Sequence, residues 1–187
     1  CLATRPTHKE WVMALTKLGA GAYRSGSIIQ TQYTQFTGTN TYSLTQDSEL
    51  ILTDLTVNIT PNFTNSIIHL QAHIFCEFGA DDANAYNHVF YFLRDSTKLA
   101  HAAAGSRNVG ISMATRTFHQ ANDSSTPEIA RYDYFDSPSS TSQITYKVAL
   151  LATNTNETFT INTTTDDGTG EGTERGISCI IAQEIAG

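Results

Sequence analysis

The feature that most narrows the fold is a run of unbroken period-two hydrophobicity, SIIHLQAHIFCEF, at residues 66–78. Ile68, Leu70, Ala72, Ile74, Cys76 and Phe78 fall on one side of an extended chain, and His69, Gln71, His73 and Glu77 on the other. Successive side chains of a strand point to opposite faces, so this pattern is a strand with one face in a core and one in solvent. Its length leaves room for a bend or bulge.

The same alternation recurs along the chain. ITYKVAL sends Ile144, Tyr146, Val148 and Leu150 inward, and Thr145 and Lys147 outward. LTVNI offers Leu55, Val57 and Ile59; NHVFYFL offers Val89, Tyr91 and Leu93; NVGISM offers Val109, Ile111 and Met113. TFTI gives Phe159 and Ile161, and GISCIIAQEI gives Ile177, Cys179 and Ile181. A first strand is expected over Ser27–Phe36. Between the runs stand TPNFTNS, FGADDANAYN, QANDSSTPE, DSPSSTS, TNTNE and TTDDGTGEGTE, rich in the residues that shape turns. The best short-helix candidate is TKLAHAAAG, Thr97–Gly105, and its length is marginal.

About nine short strands separated by turns imply an all-β fold. The expectation is an antiparallel β-sandwich, jelly-roll-like, over residues 26–187, preceded by a short irregular N-terminal lead-in over residues 13–25. Residues 1–12 are expected to be an untranslated leader read in frame, or a disordered arm. Lys9-Glu10 is encodable as AAG-GAG, a ribosome-binding sequence, a few bases before the Met13 codon.

A chain of 187 residues buries a core without disulfide staples, and three cysteines cannot all pair. Cys76 and Cys179 lie in apolar alternating runs, as buried free thiols do; a bridge would require their strands to be neighbours. The net charge of −7 and the lack of any Lys/Arg cluster argue against nucleic acid and against an anionic membrane surface. No apolar run approaches the ~18 residues of a membrane span, so no membrane insertion is expected.

Motifs for chemistry are sparse. There is no G-x-S-x-G, H-E-x-x-H, C-x-x-C, P-loop or G-x-G-x-x-G, so no enzyme activity and no cofactor are expected. His69 and His73 share one strand face, but strand positions four apart are ~13 Å apart, too far for one metal ion. The Gly-rich stretch TTDDGTGEGTERG carries Asp166, Asp167 and Glu171, weak calcium candidates whose spacing is not that of an EF-hand; Glu174 lies beside them. Asp81, Asp82, Asn84 and Tyr86 in one turn cluster, and Asn122 and Asp123 in another, are the candidate ligand-facing loop residues. Aromatic residues gather in RYDYFDSP (Tyr132, Tyr134, Phe135) and near the first strand (Tyr33, Phe36, Tyr42), where core, subunit interface and ligand surface are all open readings. In DSP, Asp136 and Ser137 can bond local backbone and Pro138 fixes φ, a structural turn.

Four stretches taken together resemble a family. YFDSPSSTSQITYKVAL (134–150) resembles a motif of tailed-phage virion structural proteins, tail-fibre or receptor-binding related and common in aquatic phages: an aromatic or leucine, D-S-P, a Ser/Thr turn, then T-Y-K-V. MALTKLGAGAY…GSIIQTQYT (13–34) resembles that family's lead-in and first strand, LTDLTVNITPNFTNSIIHLQAHI (52–74) its strand–turn–strand, and ERGISCIIAQEI (174–185) its closing strand. The middle, Phe78–Arg131, has no match. The resemblance implies a non-catalytic homotrimer in the virion, made in the host bacterial cytoplasm, that touches other virion proteins and a host cell-surface glycan or receptor. Two other readings stay open: a capsid decoration or head-fibre protein without a receptor role, and a cellular carbohydrate-binding module or adhesin.

Overall fold

The computed structural model describes residues 19, 22–79, 88–103, 105–113, 125–152 and 157–187. The proposed leader and most of the lead-in lie outside them. The alternating runs become strands, in chain order β1 (Ile28–Phe36), β2 (Asn40–Leu44), β3 (Glu49–Ile59), β4 (Ile67–Phe78), β5 (Val89–Arg94), β6 (Thr97–Leu99), β7 (Ser112–Met113), β8 (Glu128–Asp136), β9 (Ile144–Leu151), β10 (Glu157–Ile161) and β11 (Ser178–Ile185). No helix occurs among the described residues; the stretch from Thr97, expected as a short helix, starts as β6 because its first residues pair with Phe92–Arg94.

Two antiparallel sheets pack face to face. In the first, β4 carries β8 on one edge and β11 and β10 end to end on the other; β1 and β2 then lie end to end outside them. The second runs β3-β9-β5, with β6 and β7 end to end on the far edge of β5. Joining the three collinear pairs reduces eleven strands to eight. The first of these pairs with the eighth, the second with the seventh, the third with the sixth and the fourth with the fifth. That is one long antiparallel hairpin rolled into two sheets, the jelly roll that the sequence led us to expect.

This rolling decides where the connections fall. The links β2–β3, β4–β5, β7–β8 and β9–β10 share one end of the sandwich, as the register shows by placing Leu44 opposite Glu157, Phe78 opposite Phe159, Cys76 opposite Glu128 and Val89 opposite both Leu151 and Met113. The links β3–β4, β5–β6 and β8–β9 share the other end.

The core between the sheets is built from the expected faces of β3, β4, β9 and β10: Leu55, Val57 and Ile59; Ile68, Leu70 and Ile74; Tyr146, Val148 and Leu150; Phe159 and Ile161. Burial of this size, at roughly 25 cal/mol per Å² of apolar surface, is what holds the layers together. Cys76 belongs to this core and burial pushes its thiol up, while Cys179 sits on the outer face of β11; both are free.

Three expected faces come out differently. In β5 both faces are buried: Phe90 and Phe92 enter the main core, while Tyr91 and Leu93 pack outside it with Ala149, Ile51 and Ile111. In β11 the inward residues are Ser178, Ile180, Ala182 and Glu184, and Ile177 is exposed. Polar Ser178 and Glu184 are tolerated inside because each is hydrogen-bonded, Ser178 to Asn162 and Glu184 to Asn62 and Ser66. In NVGISM only Ser112 and Met113 form a strand, and Met113 is exposed.

Two irregularities lock the layers. Between Leu52 and Thr56 the β3 register jumps against β9, and residues 53–55 bulge out. The bulge places Leu55 in the core and lets Asp54 accept hydrogen bonds from Asn40 Nδ2 (2.7 Å) and Tyr42 OH (2.6 Å) on β2 of the other sheet. The second is the excursion of residues 162–177 between collinear β10 and β11. Asn162, with left-handed φ of 61°, closes its base: its Nδ2 donates to Phe36 O and Gly38 O, and its Oδ1 accepts from Ser178.

Candidate functional site

The two loops singled out from sequence leave from the same end of the jelly roll. One follows β4 and the other precedes β8, and their anchoring strands are hydrogen-bonded neighbours. Asp81, Asp82, Asn84, Tyr86, Asn122 and Asp123 themselves lie outside the described residues, but the loop roots are described.

The roots meet at Glu77. The alternation puts this side chain on the solvated face of β4, yet it is 1% exposed. Its Oε1 accepts from Thr126 N (2.6 Å) and Thr126 Oγ1 (2.9 Å), and its Oε2 from Thr165 N (2.5 Å). One carboxylate therefore ties the end of β4 to the return of the second loop and to the 162–177 excursion. A carboxylate accepting backbone N–H groups is a strong, directional clasp. At the same end, His88 at the return of the first loop pairs with Glu157 at the start of β10, both side chains buried, and the His88 ring stacks on Phe78 at 5.0 Å. Gly79 opens the first loop where a side chain would not fit: a Cβ there would come within 2.9 Å of Thr165 and 3.1 Å of Thr158.

The calcium candidates sit in the excursion at this same end. Asp167, in the left-handed region at φ 44°, accepts from Thr163 Oγ1 and pairs with Arg175. Asp166 and Glu171 are exposed. Among the described residues no three His, Cys, Asp or Glu side chains are grouped to hold a metal ion. Glu174 accepts from Ser125 Oγ at 3.1 Å, a further tie between the excursion and the second loop's return.

The D-S-P turn lies at the opposite end. Ser137 and Pro138 leave β8, and Ser139 takes the left-handed conformation at φ 52°. Asp136 was expected to bond local backbone. Instead its carboxylate, 5% exposed, receives Arg94 Nη1 (2.9 Å) and the Tyr146 hydroxyl (2.6 Å). That contact clamps the end of β8 to β5 and β9. Glu184 holds the same end on the other side, accepting from Asn62 N, Ser66 Oγ and Gln30 Nε2, each at 2.6 Å. Burial alone would raise this carboxyl; the hydrogen bonds from Ser66, Gln30 and Asn62 outweigh it and hold it below its ordinary value.

The aromatics divide. Tyr132 is core, Tyr134, Phe36 and Tyr42 are half-buried, and Tyr33 and Phe135 stand out from the first sheet at 69% and 58% exposure. His69 stacks on Phe135, ring centres 4.3 Å apart, with Asp133 at 3.6 Å. His73 lines a shallow depression on this face with Gln71, Arg131, Cys179 and Ile181.

Sequence reasoning missed Glu77, His88, Glu157 and Asn162 as organising residues. For Glu77 the available signal was a charged side chain next to the end of an apolar alternation, two residues before a glycine and a polar loop. No family model matches the chain, and no curated protein matches it. No helix among the described residues is long and apolar enough to cross a membrane.

Proposed function

We propose that the chain is a non-catalytic virion structural protein of a tailed phage, a tail-fibre or receptor-binding head that attaches to a host surface ligand of the glycan class. The observation that carries this reading is the Glu77 clasp. It gathers the roots of two long polar loops and the Gly-rich excursion at one end of a rigid sandwich, while the other end is closed by short turns. Binding residues are characteristically carried on loops held by such a scaffold. The resemblance of four stretches to tailed-phage virion proteins supplies the context for this reading, and with it the proposed homotrimer and contact with other virion proteins. No residue is assigned a catalytic role.

The test is adsorption of the purified full chain to host cells, compared with variants in which residues 80–87 or 114–124 are replaced by Gly/Ser sequence of equal length. Loss of adsorption with an unchanged melting temperature is expected. Wild-type protein that adsorbs to no host cell would overturn the receptor role and leave the decoration reading.

A further inference from the structure

Strand β8 has β4 on one edge and no strand on the other among the described residues. A free edge is a template for another strand, and natural edges are usually blunted by a proline, a bulge, short length or charged side chains. β8 has no proline and no bulge over its nine residues, EIARYDYFD, its register with β4 is continuous, and its two outward charges, Arg131 and Asp133, are opposite in sign, so a second copy can pair them instead of being repelled. The other edges differ. β3 is broken by its bulge, β6, β7 and β2 are three, two and five residues long, and β1 has a register shift between Ile28 and Gln30 and no charges to set a pairing register.

The outward row of β8 reads Ile129, Arg131, Asp133, Phe135, with Ile129 and Phe135 57% and 58% exposed. The order is apolar, cation, anion, apolar. We propose that this edge is an interaction surface for a second copy of the same chain, paired antiparallel about a twofold axis at Tyr132.

With Tyr132 opposite itself, Arg131 faces the partner's Asp133, Asp133 faces the partner's Arg131, and Ile129 and Phe135 face each other twice. An isologous contact uses each such pair in duplicate. Neighbouring registers that keep the same faces together do worse. Centring on Arg131 or Asp133 sets like charges opposite each other, and centring on Ala130 or Tyr134 sets an ion against an apolar side chain. Directly opposed pairs on a sheet face are close enough to decide register. Two features within the chain favour it. Stacking on His69 holds the Phe135 ring in place, and Arg131 has no ion-pair partner among the described residues, so its charge is available to the second copy. Among the described residues, His69, 3.6 Å from Asp133, is the one ion-pair partner that competes for that carboxylate.

The contact is pairwise and independent of the virion reading. It requires an even number of chains, a dimer or, if a threefold contact exists elsewhere, two trimers joined. The test is light scattering of the full chain over a concentration series. Wild type is expected to show an even-numbered species. Arg131→Asp and Asp133→Arg are each expected to weaken self-association roughly tenfold, and the double exchange R131D/D133R to restore it, because each reversal turns both attractive pairs repulsive. Arg131→Ala should fall between, and circular dichroism should show all variants folded, since both side chains are exposed. A monomer at every concentration, an odd-numbered species, single reversals without effect, or a double exchange that fails to restore association would each overturn the proposal.

Discussion

The two ends of the sandwich solve one problem in different ways. Each gathers strand ends and connections onto buried carboxylates. At the closed end, Asp136 and Glu184 receive mostly side chains from the strands themselves or from the short β3–β4 turn, so the carboxylates bind the body of the fold together. At the loop end, Glu77 receives the backbone N–H and hydroxyl of Thr126 at the second loop's return and the backbone N–H of Thr165 in the excursion, so it fixes where these segments are rooted without specifying their course. The difference is one of emphasis: the closed-end carboxylates are held mostly by side chains, while the Glu77 clasp is held mostly by backbone N–H groups, which any residue but proline supplies.

The largest break in this comparison comes from Arg94→Ala. Among the described residues it leaves the buried Asp136 carboxylate with only the Tyr146 hydroxyl, and removing one partner of a buried pair costs about 3 kcal/mol. Urea unfolding should show that loss while loop-end binding per folded molecule is unchanged. A loss below about 1 kcal/mol would mean that the closed end is not held as described.

Next in size is the pH response of Glu184. Its carboxyl is held below its ordinary value in the folded protein, so its contribution is fully present above the ordinary carboxyl range. That contribution is lost as pH falls through the lowered folded value, because the unfolded chain takes up the proton first. Stability measured against pH for wild type and Glu184→Gln should therefore converge in acid and separate toward neutrality. A difference that stays constant across that range would contradict the role given to its hydrogen bonds.

The same contrast explains what could be read from the sequence. Where a strand has one wet and one dry face, as in β4 and β9, the alternation names the core residue by residue, and Ile68 to Cys76 and Ile144 to Leu150 are buried as expected. In β5 both faces are covered, so alternation carries no parity, and in β11 the inward Ser178 and Glu184 are polar groups made acceptable by partners far away in sequence. Glu77 belongs to this second kind: its partners Thr126 and Thr165 are brought to it by the rolled topology, which no local pattern encodes. The jelly roll itself was legible only as a count of strands and turns. The candidate loops were legible as polar clusters, and their meeting at one end follows from the strand order.

A smaller effect is expected from Glu77→Ala, about 1–2 kcal/mol, for unmaking hydrogen bonds to two loop backbones. Its signature should be local. Amide exchange at Thr126 and Thr165 should quicken, while Thr145 N, which donates to Asp95 at the closed end, keeps its protection. Equal quickening at both ends would show that Glu77 supports the whole fold and not the loop roots.

The smallest effect sharpens the comparison most, because it keeps the chemistry constant. Arg175 and Asp167 form the same kind of pair as Arg94 and Asp136, but at the loop end and with side chains 53% and 51% exposed, against 28% and 6%. Water screens the first pair and solvates whichever partner remains, so Arg175→Ala should cost no more than about 0.5 kcal/mol. Neither the left-handed conformation of Asp167 nor its bond from Thr163 involves Arg175, so both are expected to persist in the variant. Calcium added to this variant gives an independent reading of the excursion: freed of Arg175, Asp167 stands beside Asp166, and a rise in melting temperature with calcium in the variant but not in wild type would assign the ion pair to occupying a cation position. If Arg175→Ala instead matches Arg94→Ala in cost, exposure is not what separates the two ends.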